Sequence, residues 1–496
     1  MTAASLAKMF EKSDCEIKLV ESDQIGTVGV GEATIPHIRF FNQTLGIDEN
    51  EFMQKTNATY KIGIQHNNWG KKGDSYIHPF GGFGHPINNI PFHHFWLKQY
   101  LAGTVTSIED YSLPIVAAKL NKFEHPHNDP RSMLSTYSYA FHLDASLYAR
   151  FLREYSEQKK VERIEGKVSD ATLHENGEHS GFIKEIVLEN GDKIAGDLFI
   201  DCSGFRGLLI EQTLKTGYTD WSHWLPCNRA VAVPTEHNGE ELHPYTKATA
   251  HQAGWQWQIP LQHRTGNGHV YCSNYISDDE AQGVLIANLD GKPLTEPKLL
   301  NFKTGHRNQA WNKNCVAIGL SGGFLEPLES TSIYLIQIAI TKLLELFPDK
   351  HFNQNLINEY NSEMFLEIER VRDFLILHYH ATERNDSDFW NYVRTMEIPE
   401  SLKEKMDLFR QQGYVVPYEK GLFLQPSWVA VYLGQGIIPK TYDIRVDNFN
   451  TTELKEYFTR MQKDMAVAAN KMQTHAQAIK SNNPYPAATM SLYGKS

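Results

Sequence analysis

Three times along this chain a strand-like apolar run ends in a glycine-containing turn, and the three places lie far apart, near residues 20–36, 200–207 and 319–332. In open α/β sheets such turns sit at the carboxyl ends of strands, where nucleotides bind. The first of them has further context. Residues 2–11 (TAASLAKMFE) predict a helix with Leu6, Met9 and Phe10 on its apolar face. Cys15–Glu21 (CEIKLVE) predicts a buried strand ending in an acid. A helix followed by a strand ending in Glu is the second half of a dinucleotide-binding βαβ unit. That unit normally opens with a strand and a Gly-rich turn, whose glycines admit the pyrophosphate to the helix N-terminus. The sequence starts at Met1, where that turn should end. The expectation is therefore a chain that opens in mid-unit, with the strand and turn encoded upstream and with weak dinucleotide binding in their absence.

The rest of the pattern fits one interleaved fold. Residues 161–200 alternate strand-like runs with turns such as Asn190-Gly191-Asp192. DLFIDCSGFRG (197–207) is a strand and a glycine turn, and residues 227–275 form a second strand-rich region carrying GWQWQIP (254–260). NCVAIGLSGGFLEPLES (314–330) leads into a long apolar helix running to Phe347. From Asn353 onward the pattern is mostly helical, as in Glu363–His378 and Glu453–Ala478. A fold that returns three times to one cofactor is the organisation of FAD-binding two-domain oxidoreductases. The expected class is α/β: a Rossmann-like FAD-binding module over 1–350 (about 1–50, 150–215 and 300–350), mixed sheets in substrate-side insertions (about 51–149 and 216–299), and a helical substrate-binding region over 351–496.

Composition removes other classes. Of 496 residues, 41% are hydrophobic, ample for a large core. Net charge is −11 without a basic block, which disfavours nucleic acid and anionic membrane as partners. The most apolar stretch, Ile333 to Phe347, is interrupted by Thr341 and Lys342 and is too short to span a bilayer. No signal peptide opens the sequence. The five cysteines are scattered without a CxxC pair, which fits a reduced cytoplasm and suggests neither a disulfide frame nor a zinc site. No HExxH occurs among the 22 histidines, and no metal is expected.

Several residues have two readings on their own. Glu21, followed by Ser22, is either a solvated strand-end acid or an acceptor for ribose hydroxyls. Gly29, Val30, Gly31, Glu32, Ala33 and Thr34, within GVGEATIP, form a turn or a backbone approach to a ligand. Trp255 and Trp257, two apart on one strand face, are core residues or a wall. Lys61 in the apolar YKIGI either reaches the surface or is held desolvated at a pocket as a directed donor. Glu329 is either a first-turn acid favouring the helix dipole or an active-site carboxylate.

Taken together these segments are specific. VES (20–22), GVGEATIP (29–36), LGID (45–48), KIGIQHNNW (61–69), HPFG (78–81), FHLDA (141–145), DLFIDCSGFRG, GWQWQIP, FLEPLES (324–330), RDFLILHYH (372–380) and DFW (388–390) resemble the flavin-dependent halogenases of the tryptophan-halogenase family. The resemblance covers about four fifths of the chain. It implies FAD, used as FADH2 from a separate flavin reductase, with dioxygen and a halide, chloride or bromide, as co-substrates. Halide would be oxidised to hypohalous acid at the flavin and pass to Lys61 and Glu329, which halogenate an electron-rich aromatic. The resemblance assigns Glu21, Ser22, residues 29–34, Gly319, Leu320 and Ile333 to the cofactor. It assigns His78, Phe80, Phe423 and Trp428 to the substrate, and the backbone N–H groups of Thr331 and Ser332 to the halide. Trp255 and Trp257 would block direct approach to the flavin and so suppress hydroxylation. A homodimer is compatible with it.

Two departures matter. Ser332 replaces the glycine of the family's F-x-x-P-x-x-S-x-G pattern. Phe409–Val431, where free-tryptophan enzymes carry a Tyr-Tyr and a Glu clamp, is shorter and has no Tyr-Tyr pair. An indole without the amino-acid group, a phenol, a pyrrole or a larger aromatic is expected in place of free tryptophan. The rival readings are a flavin monooxygenase that hydroxylates its substrate, and a catalytically impaired homologue that only binds.

Overall fold

The computed structural model describes residues 1–25, 31–105, 107–237, 242–418 and 421–481. Its centre is a seven-stranded mixed sheet, in the spatial order Lys298–Asn301, Arg229–Thr235, Thr265–Tyr271, Gly254–Pro260, Thr246–His251, Gly63–Asn67 and Ser75–Pro79. Neighbours run antiparallel except Thr246–His251 and Gly63–Asn67, which are parallel. The Trp-rich strand alternates as its period of two requires, and Trp255 and Trp257 share a face with ring centroids 6.1 Å apart. Trp257 stands opposite Gly268, and a Cβ there would lie 2.1 Å from the indole. The glycine is what lets that ring lie flat over the neighbouring strand.

The register Ile64↔His78 and His66↔Tyr76 puts His66 and His78 on one face of the sheet's outer pair. A three-stranded sheet beside it joins Glu32–Ala33, Ala140–Leu143 and Thr59–Lys61. It brings the GVGEATIP segment to the strand that carries Lys61. Two short parallel pairs, Lys18–Glu21 with Glu162–Glu165 and Phe199–Asp201 with Cys315–Ala317, are not hydrogen-bonded to each other. They share an apolar cluster through Val20, Phe199, Ile210, Cys315 and Ala317. The principal core is continuous from Ala4 to Ala478 and draws on strand-rich and helical segments alike.

The helix Ser332–Glu345 and the 27-residue helix Gln354–His380 pack on this frame. The second ends in a run from Val371 to Tyr379 that is buried on every side. Among the described residues no helix is long and apolar enough to cross a membrane.

Two expectations need correction. The strand expected over residues 15–21 covers only Lys18–Glu21, and none of its residues is buried. Among the described residues it has one hydrogen-bonded neighbour, which leaves it half exposed, and Glu21 is held by surface ion pairs instead. The helix expected over 453–478 is Thr451–Lys471, then a two-residue strand, then His475–Ser481. Gln473 and Thr474 pair with Phe123 and Lys122, and the buried His475 accepts from Tyr60 N and donates through Nδ1 to the Leu242 carbonyl. Those partners lie hundreds of residues away, so helical periodicity could not register them.

Candidate active site

Lys61 is fully buried, and its ammonium donates to the Thr34 carbonyl at 3.0 Å and to Ser330 Oγ at 2.7 Å. The Phe80 ring lies 5.0 Å from Nζ. One lysine therefore joins three separated segments: GVGEATIP, HPFG and FLEPLES. Burial pushes its pKa down to about 7, with the charge of Glu329 acting the other way. Ser330 sits in the left-handed region at φ 59°, a conformation an L-residue adopts at a cost. That turn closes the short helical turn Pro327–Glu329 and separates it from the helix starting at Ser332. Glu329 is thus outside the first turn of the helix, and the dipole reading of this acid does not apply.

Glu329 is 1% exposed and surrounded by imidazoles. Oε2 accepts from His78 Nδ1 at 2.7 Å, while Oε1 lies 3.0 Å from His66 Nε2 and 2.8 Å from His378 Nε2. The distances suit hydrogen bonds, but at His66 and His378 the ring geometry does not, and those three atoms have no hydrogen-bond partner. Burial opposes ionisation of Glu329; the charge of His78 and the close rings of His378 and His66 outweigh it and hold the carboxyl well below its ordinary range.

The same segment carries a second buried acid that the sequence did not single out. Glu326 Oε2 accepts from Trp255 Nε1 at 2.9 Å and from Tyr379 OH at 2.5 Å. Burial raises its pKa to about 7, although both donors pull it down. Trp255 is therefore a hydrogen-bonded part of this buried network as well as bulk.

Three of the four predicted aromatic residues, His78, Phe423 and Trp428, converge, while Phe80 lies against Lys61. Phe423 stacks on Phe374 at 3.8 Å, Phe374 meets Trp428 edge-on at 5.1 Å, and His78 lies 5.6 Å from Phe374 and 6.2 Å from Phe423. Trp428 Nε1 donates to the Phe423 carbonyl. Phe374 was missed, as were His66 and His378. Each lies in a quoted motif, and a count of side chains per sheet or helix face would have flagged His66 beside His78 but not the meeting with Glu329.

Among the residues expected to meet the cofactor, Gly31 (φ 118°) and Gly319 (φ 77°) hold backbone conformations that favour glycine. A Cβ at Gly319 would touch only Ile336, at ordinary contact distance, and one at Gly204 would touch nothing. Gly319, Leu320 and Ser332 line a mostly apolar cavity of about 100 Å³. Ser22 is buried, and Glu21 uses Oε1 for Arg153 at 2.6 Å and Arg163 at 2.8 Å. Thr34 is fully engaged: its hydroxyl meets the backbone N–H and carbonyl of Phe141, its own N–H donates to the Phe141 carbonyl, and its carbonyl accepts from Lys61. Ala33 is buried and Ile333 half-buried. Burial raises Glu32 to about 7. Gly29 and Val30 lie outside the described residues.

At the head of the Ser332–Glu345 helix, Thr331 provides no side-chain cap, and its buried hydroxyl has no partner. The first N–H groups of that helix are thus uncapped.

Comparison with known proteins places this arrangement. The tryptophan halogenase family model matches residues 1–451. Tryptophan 6-halogenase SttH from Streptomyces toxytricini is 36% identical over 470 residues, covering 88% of this chain and 87% of the relative. Among solved structures, BrvH, a flavin-dependent halogenase from Brevundimonas sp. BAL3, is 44% identical with a TM-score of 0.93, covering 97% of this chain and 96% of that one. Xcc4156, a flavin-dependent halogenase from Xanthomonas campestris, is 46% identical with a TM-score of 0.93, covering 98% and 96%. With a family match over nine tenths of its length and the same fold throughout, this chain belongs to the tryptophan halogenase family.

Proposed function

We propose that this flavin-dependent halogenase uses Lys61 and Glu329 to halogenate an electron-rich aromatic of the indole type. The observation that carries the reading is Lys61 itself, a fully buried amine held between Thr34 and Ser330 in the segment that also carries an ionised Glu329. A desolvated lysine near neutrality is a directed donor for a small neutral oxidant such as hypohalous acid. Glu329, ionised in a dry site, stabilises positive charge developing on an attacked ring and accepts the proton that leaves it.

The residues present fit FAD. Open glycine turns at Gly204 and Gly319 leave room for close backbone approach, and Gly31 supplies a positive φ against Ile259 and Gly266. Glu21 and Ser22 would hold the ribose; residues 29–34, Gly319, Leu320 and Ile333 would hold the rest. When bound as FADH2, with dioxygen, the cofactor supplies the oxidising power that turns chloride or bromide into hypohalous acid. The uncapped N–H groups at Thr331 and Ser332 suit the halide, since unpaired donors at a helix N-terminus favour an anion. A separate flavin reductase would supply the reduced cofactor.

The aromatic side is His78, Phe80, Phe374, Phe423 and Trp428. Charged groups flank it, but they are engaged: Lys405 pairs with Asp373 at 3.3 Å and lies over the Tyr418 and Trp428 rings. That supports a ring without an amino-acid group as substrate. The test is Lys61→Ala assayed with reductase, FAD, chloride or bromide, and indole. Halogenated product should be lost while reductase-driven oxygen consumption continues; product near the wild-type yield would overturn the assignment.

A further inference from the structure

We infer that His66, His378 and Glu329 form a binding site for a divalent transition metal of the zinc class, and that its occupancy closes the halogenation site. The first part stands on geometry alone; the second rests on the proposed role of Glu329. Two imidazole Nε2 atoms and one carboxylate oxygen lie within 4.8 Å of one another, all buried. Oε1 is 3.0 Å from one nitrogen and 2.8 Å from the other, yet none of the three has a hydrogen-bond partner.

The tautomer of His378 sharpens this. Its Nδ1 lies 2.8 Å from the Phe374 carbonyl, which can only accept, so Nδ1 carries a proton. In the neutral ring Nε2 then presents a lone pair to a carboxylate oxygen. Two electron-rich atoms at that distance repel unless a cation shares them. One proton would relieve one of the two imidazole contacts, and the ring directions do not aim N–H bonds at Oε1. A metal ion set off the line between the atoms takes all three lone pairs at once.

The surroundings are those of a ligand set. A metal-bound histidine usually donates its other ring nitrogen to a carbonyl or carboxylate, as His378 does; the Nδ1 of His66 is buried without a hydrogen-bond partner. His78 fixes the remaining carboxylate oxygen. Two imidazoles with one carboxylate suit zinc, cobalt or ferrous ions, whereas magnesium and calcium prefer oxygen alone. A metal here would withdraw the Glu329 charge from the substrate and add a positive charge in the pocket that holds Lys61.

The test uses the full chain, flavin-free and treated with chelator, incubated with Co2+ until the signal is constant. We expect visible d–d absorption of imidazole-bound cobalt and one Zn2+ per chain by equilibrium dialysis. Binding should weaken at least about tenfold in His66→Phe and in Glu329→Gln. Zn2+ should raise the Tm of the wild type, by binding only the folded state, and not that of either variant. Zn2+ at a filling concentration should cut halogenation at least tenfold, reversed by chelator, with Mg2+ inert. No cobalt absorption with an unchanged Tm overturns the site, as does equal binding by both variants. Halogenation undiminished at full occupancy overturns the closure. Cobalt binding by a protein that halogenates nothing would sink the functional reading and leave the metal site standing.

Discussion

Lys61 is the residue whose charge the fold works hardest to control. Folded, it gives up its proton near pH 7; unfolded, near its ordinary value of 10.5. Between those values the unfolded chain binds more protons, so this group makes the protein gain stability as pH rises from about 7 to 10.5. Lys61→Met removes the titration. Its stability relative to wild type should therefore be most favourable at pH 6 to 7 and decline toward pH 10, read by urea unfolding across that range. A pH-independent difference would show that the lysine does not titrate there. Ser330 is the lysine's anchor at a left-handed φ of 59°. Ser330→Ala and Ser330→Gly both delete the hydroxyl, but only glycine relieves the backbone. Both should lower halogenation, and the glycine variant should unfold with about 1 kcal/mol more stability than the alanine variant.

At the scale of the element, the strand Gly254–Pro260 shows what a motif means once its neighbours are known. Alternation alone predicted two indoles on one face. The tertiary structure adds that Trp255 serves Glu326 and that Trp257 is seated by Gly268. Gly268→Ala would drive a methyl group into the Trp257 ring and should cost roughly 1–3 kcal/mol, the range for overpacking. A lowered Tm with altered tryptophan emission would report it; an unchanged Tm would mean the indole can move aside. The helix Gln354–His380 makes the complementary point. Its helical character was legible over Glu363–His378, though the helix itself starts at Gln354, and its last turns carry Phe374 to the Phe423 and Trp428 rings and His378 to Glu329. A helix buried all round has no polar face by which periodicity could mark which histidine faces a site.

For the whole molecule, the sharpest consequence is substrate choice. The aromatic wall should retain stacking of about 0.5–1.5 kcal/mol per ring pair. A carboxylate or ammonium buried without its own partner costs on the order of 1–3 kcal/mol. The second quantity is the larger, so indole should be halogenated in preference to tryptophan in an equimolar competition read by mass spectrometry and NMR. Attack should fall on the ring's most nucleophilic carbon, C3 of indole, because nothing else orients it. Preferential benzo-ring substitution of tryptophan would reveal a clamp that the described residues do not display.

What the sequence determined by itself were features that are local or periodic: the α/β class, the glycine turns, the Trp-rich strand, most of the helices, and motifs, those around Lys61 and Glu329 among them, specific enough to name a family. Local sterics and side-chain period fix such features within a few residues, so they can be read in order along the chain. Only the tertiary structure decided the rest. Glu329 lies 251 residues from His78 and about fifty from His378, and their meeting depends on strand register and on where one buried helix ends. The half-exposed first strand, the broken C-terminal helix and the second buried acid, Glu326, were settled in the same way, by partners distant in sequence whose burial removes the water that would otherwise satisfy these groups.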